Sequence, residues 1–147
     1  MSTHQPIIVR AAGKFAIPII FVFAFHLALS GAAGPGGGFA GGAGAAAGVI
    51  LYGLIFGVEE ARRAVPTLIL RIGAALGLGG LLLLGAIAMA AGYNFMDYHA
   101  LALPGLGAAR LGAGLAQAGV MLTTACSFCL AFYAIAGRAA ELRDEEW

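Results

Sequence analysis

The sequence is poor in charged residues. Only 10% of its residues are charged and 61% are hydrophobic, whereas soluble globular domains carry about 25% charged residues. A soluble fold of 147 residues could not bury this much apolar surface, so a lipid bilayer must cover much of it. The length predicts a single membrane domain over residues 1–147, with no room for a separate soluble domain.

Other features that the sequence lacks exclude several classes of function. The net charge of +1 leaves no basic excess for nucleic acid. The two cysteines, Cys126 and Cys129, are too few for a disulfide framework, and no His or Lys lies beside them to activate a thiol. No second pair completes a zinc site, and no haem, iron–sulfur or flavin motif is present. We therefore predict that the chain is not an enzyme and holds no metal or cofactor.

Glycine is abundant, with 24 residues that stand among many alanines. The strict three-residue period of collagen is absent. Small residues between large apolar ones are typical of transmembrane helices whose backbones approach closely. The composition therefore predicts tightly packed membrane helices.

The charged residues divide the chain into spans. Phe15–Val58 has no charged side chain, and as one helix it would be about 66 Å long, twice the ~30 Å hydrocarbon core. It must turn, and Gly34–Gly38 with Pro35 is the strongest breaker in it. Two further uncharged runs, Ile72–Met96 and Leu111–Gly137, each suit one crossing. We predict an all-α, four-helix membrane bundle, with transmembrane helices at about residues 15–31, 39–57, 72–96 and 111–137.

The distribution of Lys and Arg predicts the orientation. With four spans, both termini and the loop after helix two share one side, and every basic residue except Arg110 lies there. Because cytoplasmic segments are enriched in Lys and Arg, we predict cytoplasmic N- and C-termini in a multi-pass protein of the cell (inner) membrane. The alternative is a cleaved signal peptide that ends in the small residues 30–33. His26 in its apolar run and the ordered motif that follows argue against cleavage.

The turn after helix one carries the sharpest motif. A P-loop would need a Lys and a hydroxyl residue after the glycines, and a dinucleotide site would need a strand before them and an acidic residue later. The chain has none of these features at this turn, so nucleotide binding is excluded. The glycines suit close helix packing. A second hypothesis is that the N-terminus of helix two faces an ion path. The residues concerned are Pro35, Gly36, Gly37, Gly38, Phe39, Gly41 and Gly42.

Two further polar side chains are candidates. His26 is the only residue of Phe15–Val58 that titrates near neutral pH, and an ionisable residue in a span is a functional candidate. We favour a neutral histidine that is hydrogen-bonded between helices. Gln117 lies in helix four, where we expect an interhelical hydrogen bond rather than a pathway.

The charged group Glu59–Arg63 is predicted to be a solvated cap of helix two, with a docking patch for a partner subunit as the alternative.

The glycine motif, followed by a second span that ends in Phe56-Gly57 with Arg62 five residues on, resembles the B subunit of Mrp/Mnh-type multisubunit sodium/proton antiporters. The resemblance covers about Phe15–Gly137. It implies an accessory subunit that helps to assemble or line the ion path. The implied partners are the lipid bilayer and other integral membrane subunits, with sodium ions and protons as the transported species.

The chain departs from this family at three positions. The family often has His-Asn after the first motif glycine, where this chain has Ala32 and Ala33, and an acidic residue where it has Gln117. These losses remove polar groups from the membrane. Two alternatives therefore stay open: a membrane-arm subunit of a complex-I-like redox complex, and a purely structural subunit that packs through small residues.

Overall fold

The chain folds into α-helices. The computed structural model describes residues 7–31, 36–97 and 108–145. Within these ranges the chain forms five helices and no strand. They are α1 (Ile7–Ser30), α2 (Gly38–Phe56), α3 (Val58–Ala64), α4 (Thr67–Ala90) and α5 (Ala108–Glu145).

Four of these helices are long and apolar enough to cross a membrane. The candidate spans are Ile8–Ser30, Gly38–Phe56, Thr67–Ala90 and Leu111–Arg138. The predicted all-α membrane fold with four spans is confirmed. The orientation of the termini stays a prediction. For reference, the near end of the protein is the end that holds the α2–α4 connection, and the far end holds the α1–α2 turn.

Two segments differ in detail from the sequence prediction. The connection after α2 contains the short helix α3, which begins after Gly57 at a φ of 109°, a conformation that favours glycine. Helix α4 ends at Ala90 rather than near residue 96. It stops there because Gly92 takes a φ of 84° and the chain reverses, so that the ring of Phe95 packs over Gly85.

The spanning helices pack in the order α1, α2, α5, α4. Helix α2 contacts both α1 and α5, and α5 also contacts α4, whereas direct packing of α4 on α1 or α2 is slight or absent in the described part of the chain. Helices α2 and α5 are therefore central, and α1 and α4 lie at the edges. Large apolar side chains such as Phe15, Val22 and Leu83 are exposed, as expected of surfaces that face lipid or other subunits.

Glycines line each helix contact. A methyl group at Gly41 would lie 2.7 Å from the Cβ of Ala28 in α1, and one at Gly42 would lie 2.6 Å from the Met121 carbonyl oxygen in α5. Between α4 and α5, a methyl group at Gly73 would lie 2.7 Å from the sulfur of Cys126. Cβ atoms essentially never come this close to other atoms, so these backbones are in contact only because glycine has no side chain.

Candidate functional site

The glycine-rich turn folds back onto the end of α1. The Gly37 N–H donates to the Leu27 carbonyl oxygen at 2.9 Å, and Gly37 has a φ of 133°. A methyl group at Gly31 would lie 2.6 Å from the Gly37 Cα, and one at Gly36 would lie 2.5 Å from the Leu27 carbonyl oxygen. Glycine at these positions is therefore what allows the turn to close against α1.

Gln117 of α5 connects this turn to the other half of the protein. Its side-chain Oε1 accepts a hydrogen bond of 2.5 Å from the Gly38 N–H, the first residue of α2. Its Nε2 lies 3.5 Å from the position that a methyl group on Gly31 would take. We call Gly31, Gly36, Gly37, Gly38 and Gln117 the turn joint. The glutamine satisfies one of the backbone donors that a helix N-terminus leaves free.

The backbones of α2 and α5 touch directly below the turn joint. A methyl group at Gly38 would overlap the carbonyl oxygen of Gln117 and lie 3.0 Å from the Met121 nitrogen. One turn on, a methyl group at Gly42 would lie 2.8 Å from the Cβ of Thr124. Two motif glycines therefore serve the α2–α5 contact, whereas Gly41 serves α1.

The other predicted site residues lie at the edge of the turn joint or outside it. Phe39 is 62% exposed and stacks edge-on against Phe128, with the ring centroids 6.1 Å apart. Pro35, together with Ala32 and Ala33, lies outside the described residues. The structure thus brings together four of the predicted positions, namely Gly36, Gly37, Gly38 and Gln117.

His26 is exposed and does not join Gln117. Its Nε2 lies 3.4 Å from the Oγ of Ser30, which also donates to the His26 carbonyl oxygen at 2.8 Å. Ser30 borders the turn, because its Cβ lies 3.4 Å from the position that a methyl group on Gly36 would take. These partners lie within α1, so this geometry does not provide the predicted hydrogen bond between helices.

The turn joint is a neutral site. The Gln117 amide donates and accepts hydrogen bonds but carries no charge, and the other members contribute backbone atoms only. The joint can therefore hold helices together or orient water, but it cannot take up a proton or neutralise a cation by charge. In the described part of the chain, no group of three or more His, Cys, Asp or Glu side chains could hold a metal ion.

Comparison with known families fits this architecture. The family model described as "Domain related to MnhB subunit of Na+/H+ antiporter" matches residues 8–138. The chain belongs to this family. The match runs from the first turn of α1 to the near end of α5, so it covers all four spans and the turn joint. A comparison with curated proteins finds no match.

The MnhB-related chain has a second contact at the near end that the sequence analysis missed. Arg62 was assigned to a solvated cap, but its Nη2 donates to the Tyr133 carbonyl oxygen in α5 at 2.8 Å, and its guanidinium lies 5.6 Å from the centroid of the Tyr133 ring. The Tyr133 hydroxyl donates to the Val65 carbonyl oxygen at 3.3 Å. Gly137 leaves room for the guanidinium, since a methyl group there would lie 2.9 Å from Nη2. The only signal in the sequence was the motif Phe56-Gly57 followed by Arg62.

The other charged residues of the predicted cap are exposed, whereas Ala61 between them is buried. Arg63 pairs with Glu60 at 3.2 Å, and both side chains are more than half exposed. Cys126 and Cys129 are buried and pack in one cluster with Leu70, Ala46 and Tyr133. They act as small apolar side chains in the interior of the MnhB-related fold.

Proposed function

We propose that the chain is an accessory membrane subunit of a multisubunit monovalent cation (sodium)/proton antiporter. The observation that carries the proposal is the match to the MnhB-related family over residues 8–138. The site supports it, because the glycine motif that carries the resemblance forms the joint between α2 and α5. The membrane would be the cell (inner) membrane, with both termini in the cytoplasm.

The subunit braces or lines an ion path and does not move ions alone. Phe15–Val58, Ile72–Met96 and Leu111–Gly137 contain no Lys, Arg, Asp or Glu. Ion pathways and proton relays of transporters are marked by charged or titratable side chains within the spans. Partner subunits would therefore supply the carboxylates and lysines of transport, and the turn joint would hold the helices that face those partners.

Purification of the tagged chain in a mild detergent, followed by mass spectrometry of the proteins that accompany it, tests the proposal. We expect other integral membrane subunits of the antiporter class and no redox enzyme. Soluble hydrogenase or dehydrogenase subunits in the same particle would favour the redox complex instead. Recovery of this chain alone would support a purely structural protein.

A transport assay tests the contribution of the turn joint. Membrane vesicles from a strain without the chain, complemented with single variants, would be energised and given sodium, and proton movement would be followed with a pH-sensitive dye. We expect Gln117→Leu to lower the sodium-dependent signal at least about tenfold, because the joint loses a partly buried hydrogen bond. Gln117→Glu should retain activity, since a carboxylate is favoured at a helix N-terminus. Full activity of Gln117→Leu would contradict a role for the joint, and Arg63→Ala, at an exposed position of the near end, serves as the control outside it.

A further inference from the structure

A cleft between α1, α2 and α3 lies at the near end of the protein. Apolar side chains and one tyrosine ring line it, namely Ile17 and Phe21 of α1, Val49 and Tyr52 of α2, and Ala61 and Val65 of α3. Ala61 is fully buried, whereas Phe21 is 40% exposed, so the cleft reaches from the interior to the surface. Its volume is about 170 Å³. An apolar cavity of about 150 Å³ holds a benzene molecule, so this cleft has room for several carbons of an acyl chain.

Contacts between α1 and α2 fix the level of the cleft along the helices. A methyl group at Gly13 would lie 2.7 Å from the side chain of Ile55. Further into the membrane, a methyl group at Gly48 would lie 3.1 Å from the ring of Phe21. Because the two helices run antiparallel, residues 10–14 of α1 lie level with the end of α2. The cleft begins just inside this level and runs inward along both helices.

Two basic residues stand at the outer end of the cleft. Helical spacing places Arg10 and Lys14 on the face of α1 that carries its cleft-lining residues, one to two turns nearer the end of the helix. The guanidinium carbon of Arg10 lies 5.8 Å from the centroid of the Phe56 ring. That ring packs against the ring of Tyr52, with the centroids 4.8 Å apart. Arg10 is therefore connected through Phe56 to the wall of the cleft.

The charge at this end of the cleft is positive. Arg10 and Lys14 are both exposed, and within the described residues neither has an acidic partner. In α3, the carboxylate of Glu60 is already paired with Arg63. The contact of Arg10 with Phe56 uses the face of the guanidinium and does not occupy its N–H donors, which match the geometry of a phosphate group.

The size of the cleft and the position of the charges fit a lipid rather than a protein segment. A helix with its side chains is about 10–12 Å across and is too wide for this cleft, whereas one acyl chain is not. Phe21 lies about 10 Å further into the membrane than Lys14. A phospholipid whose phosphate lies at the level of Arg10 and Lys14 therefore places its acyl chain alongside the cleft. Basic pockets between transmembrane helices bind anionic headgroups in this way.

We propose that the cleft is a binding site for one anionic phospholipid. Arg10 and Lys14 bind the phosphate, and one acyl chain lies in the cleft between α1, α2 and α3. The headgroup carries a net negative charge, because the cationic group of a zwitterionic headgroup would be repelled by the two basic side chains. The proposal rests on the cleft and on these two charges, and it holds whether or not the chain serves an antiporter.

Photolabelling with two lipids of different headgroup tests the site. The full chain, with the subunits that accompany it, would be purified in mild detergent and mixed with phosphatidylglycerol that carries a diazirine in one acyl chain. A parallel sample receives phosphatidylcholine with the same acyl chain. After irradiation, mass spectrometry of proteolytic fragments locates the label. We expect label in residues 17–21 and 49–52, at least about tenfold more from phosphatidylglycerol, because two basic residues favour the anionic headgroup.

Paired variants separate the site from the general charge of the near end. Arg10→Gln combined with Lys14→Gln should lower labelling by phosphatidylglycerol at least about fivefold. Its control, Arg63→Gln combined with Arg71→Gln, removes two exposed positive charges from α3 and α4 and should leave the labelling unchanged. Ala64→Phe, in the cleft lining, should also lower it, because a ring there takes the space of the acyl chain.

Two results would overturn the proposal. Equal labelling of residues 17–21 by the two lipids would show that the basic residues do not select the headgroup. No labelling of these residues by either lipid would show that a partner subunit or a second copy of the chain covers the cleft. If the variant without Arg10 and Lys14 fails to accumulate, the comparison of the two lipids on the unaltered chain decides alone.

Discussion

Replacing Gly38 by alanine tests whether α2 and α5 meet through direct backbone contact. The added methyl group would overlap the Gln117 carbonyl oxygen and lie 3.0 Å from the Met121 nitrogen. Because these are backbone atoms, no side-chain rotation relieves the overlap, and the helices must separate by about 1 Å. Such overpacking costs about 1–3 kcal/mol, and the weakened Gly38–Gln117 hydrogen bond adds about 1 kcal/mol. We expect a total destabilisation of about 2–4 kcal/mol.

The matched control is Gly80→Ala in α4. A methyl group there meets nothing within 4 Å, and alanine is preferred to glycine in a helix by about 1 kcal/mol. The purified chains would be heated in mild detergent, and the fraction that stays monodisperse would be followed by gel filtration. Gly38→Ala should lower the midpoint by about 5–10 °C, whereas Gly80→Ala should leave it unchanged or raise it. Equal midpoints for the two variants would refute the backbone contact.

Three more substitutions test other contacts, each with the same heating measurement. Gln117→Leu should cost about 1–3 kcal/mol, because the N–H at the start of α2 loses its acceptor, and Gln117→Glu should restore most of the loss. Arg62→Ala should lower the stability by about 1–3 kcal/mol, because a charge-assisted hydrogen bond and side-chain packing are lost. Its control, Arg63→Ala, should lower the stability by less than about 0.5 kcal/mol, because the ion pair of Arg63 is exposed. Equal losses of stability in the two variants would contradict the contact assigned to Arg62. Gly77→Ala should cost about 1–3 kcal/mol, because its methyl group would strike Thr123, and a neutral result would show that α4 and α5 are further apart.

The sequence predicts the spans well because the signal for a membrane helix is local. A span needs only about 20 residues of low charge, and the charged residues that bound the spans are visible in the chain. The end of α4 is harder to predict from the sequence, since no charged residue follows Arg71 before Asp97. The helix stops at Ala90 because the following residues reverse and Phe95 covers Gly85, which is a tertiary contact.

Which neighbour each residue meets could not be predicted. Spacing indicated that the motif glycines pack against other helices, but it did not show which helix each one meets. The adjacent glycines Gly41 and Gly42 face different helices, α1 and α5 respectively. Gln117 was a candidate by comparison with a family, yet its partner Gly38 is 79 residues away. Arg62 stands at helical spacing from Glu59 but bonds a carbonyl in α5, because a long side chain can reach a partner that local spacing does not show.

The packing order of the helices also bears on how the chain is made. Helix α1 packs on α2 and α4 packs on α5, so each hairpin can close as soon as its second helix enters the membrane. The α2–α5 contact can form only after α5, the last helix, has been inserted, and it then joins two hairpins that have already formed. A chain cut between Arg63 and Pro66 would keep both hairpins whole. Separately synthesised halves would associate mainly through the α2–α5 contact, where Gly38 and Gly42 let the two helix backbones touch.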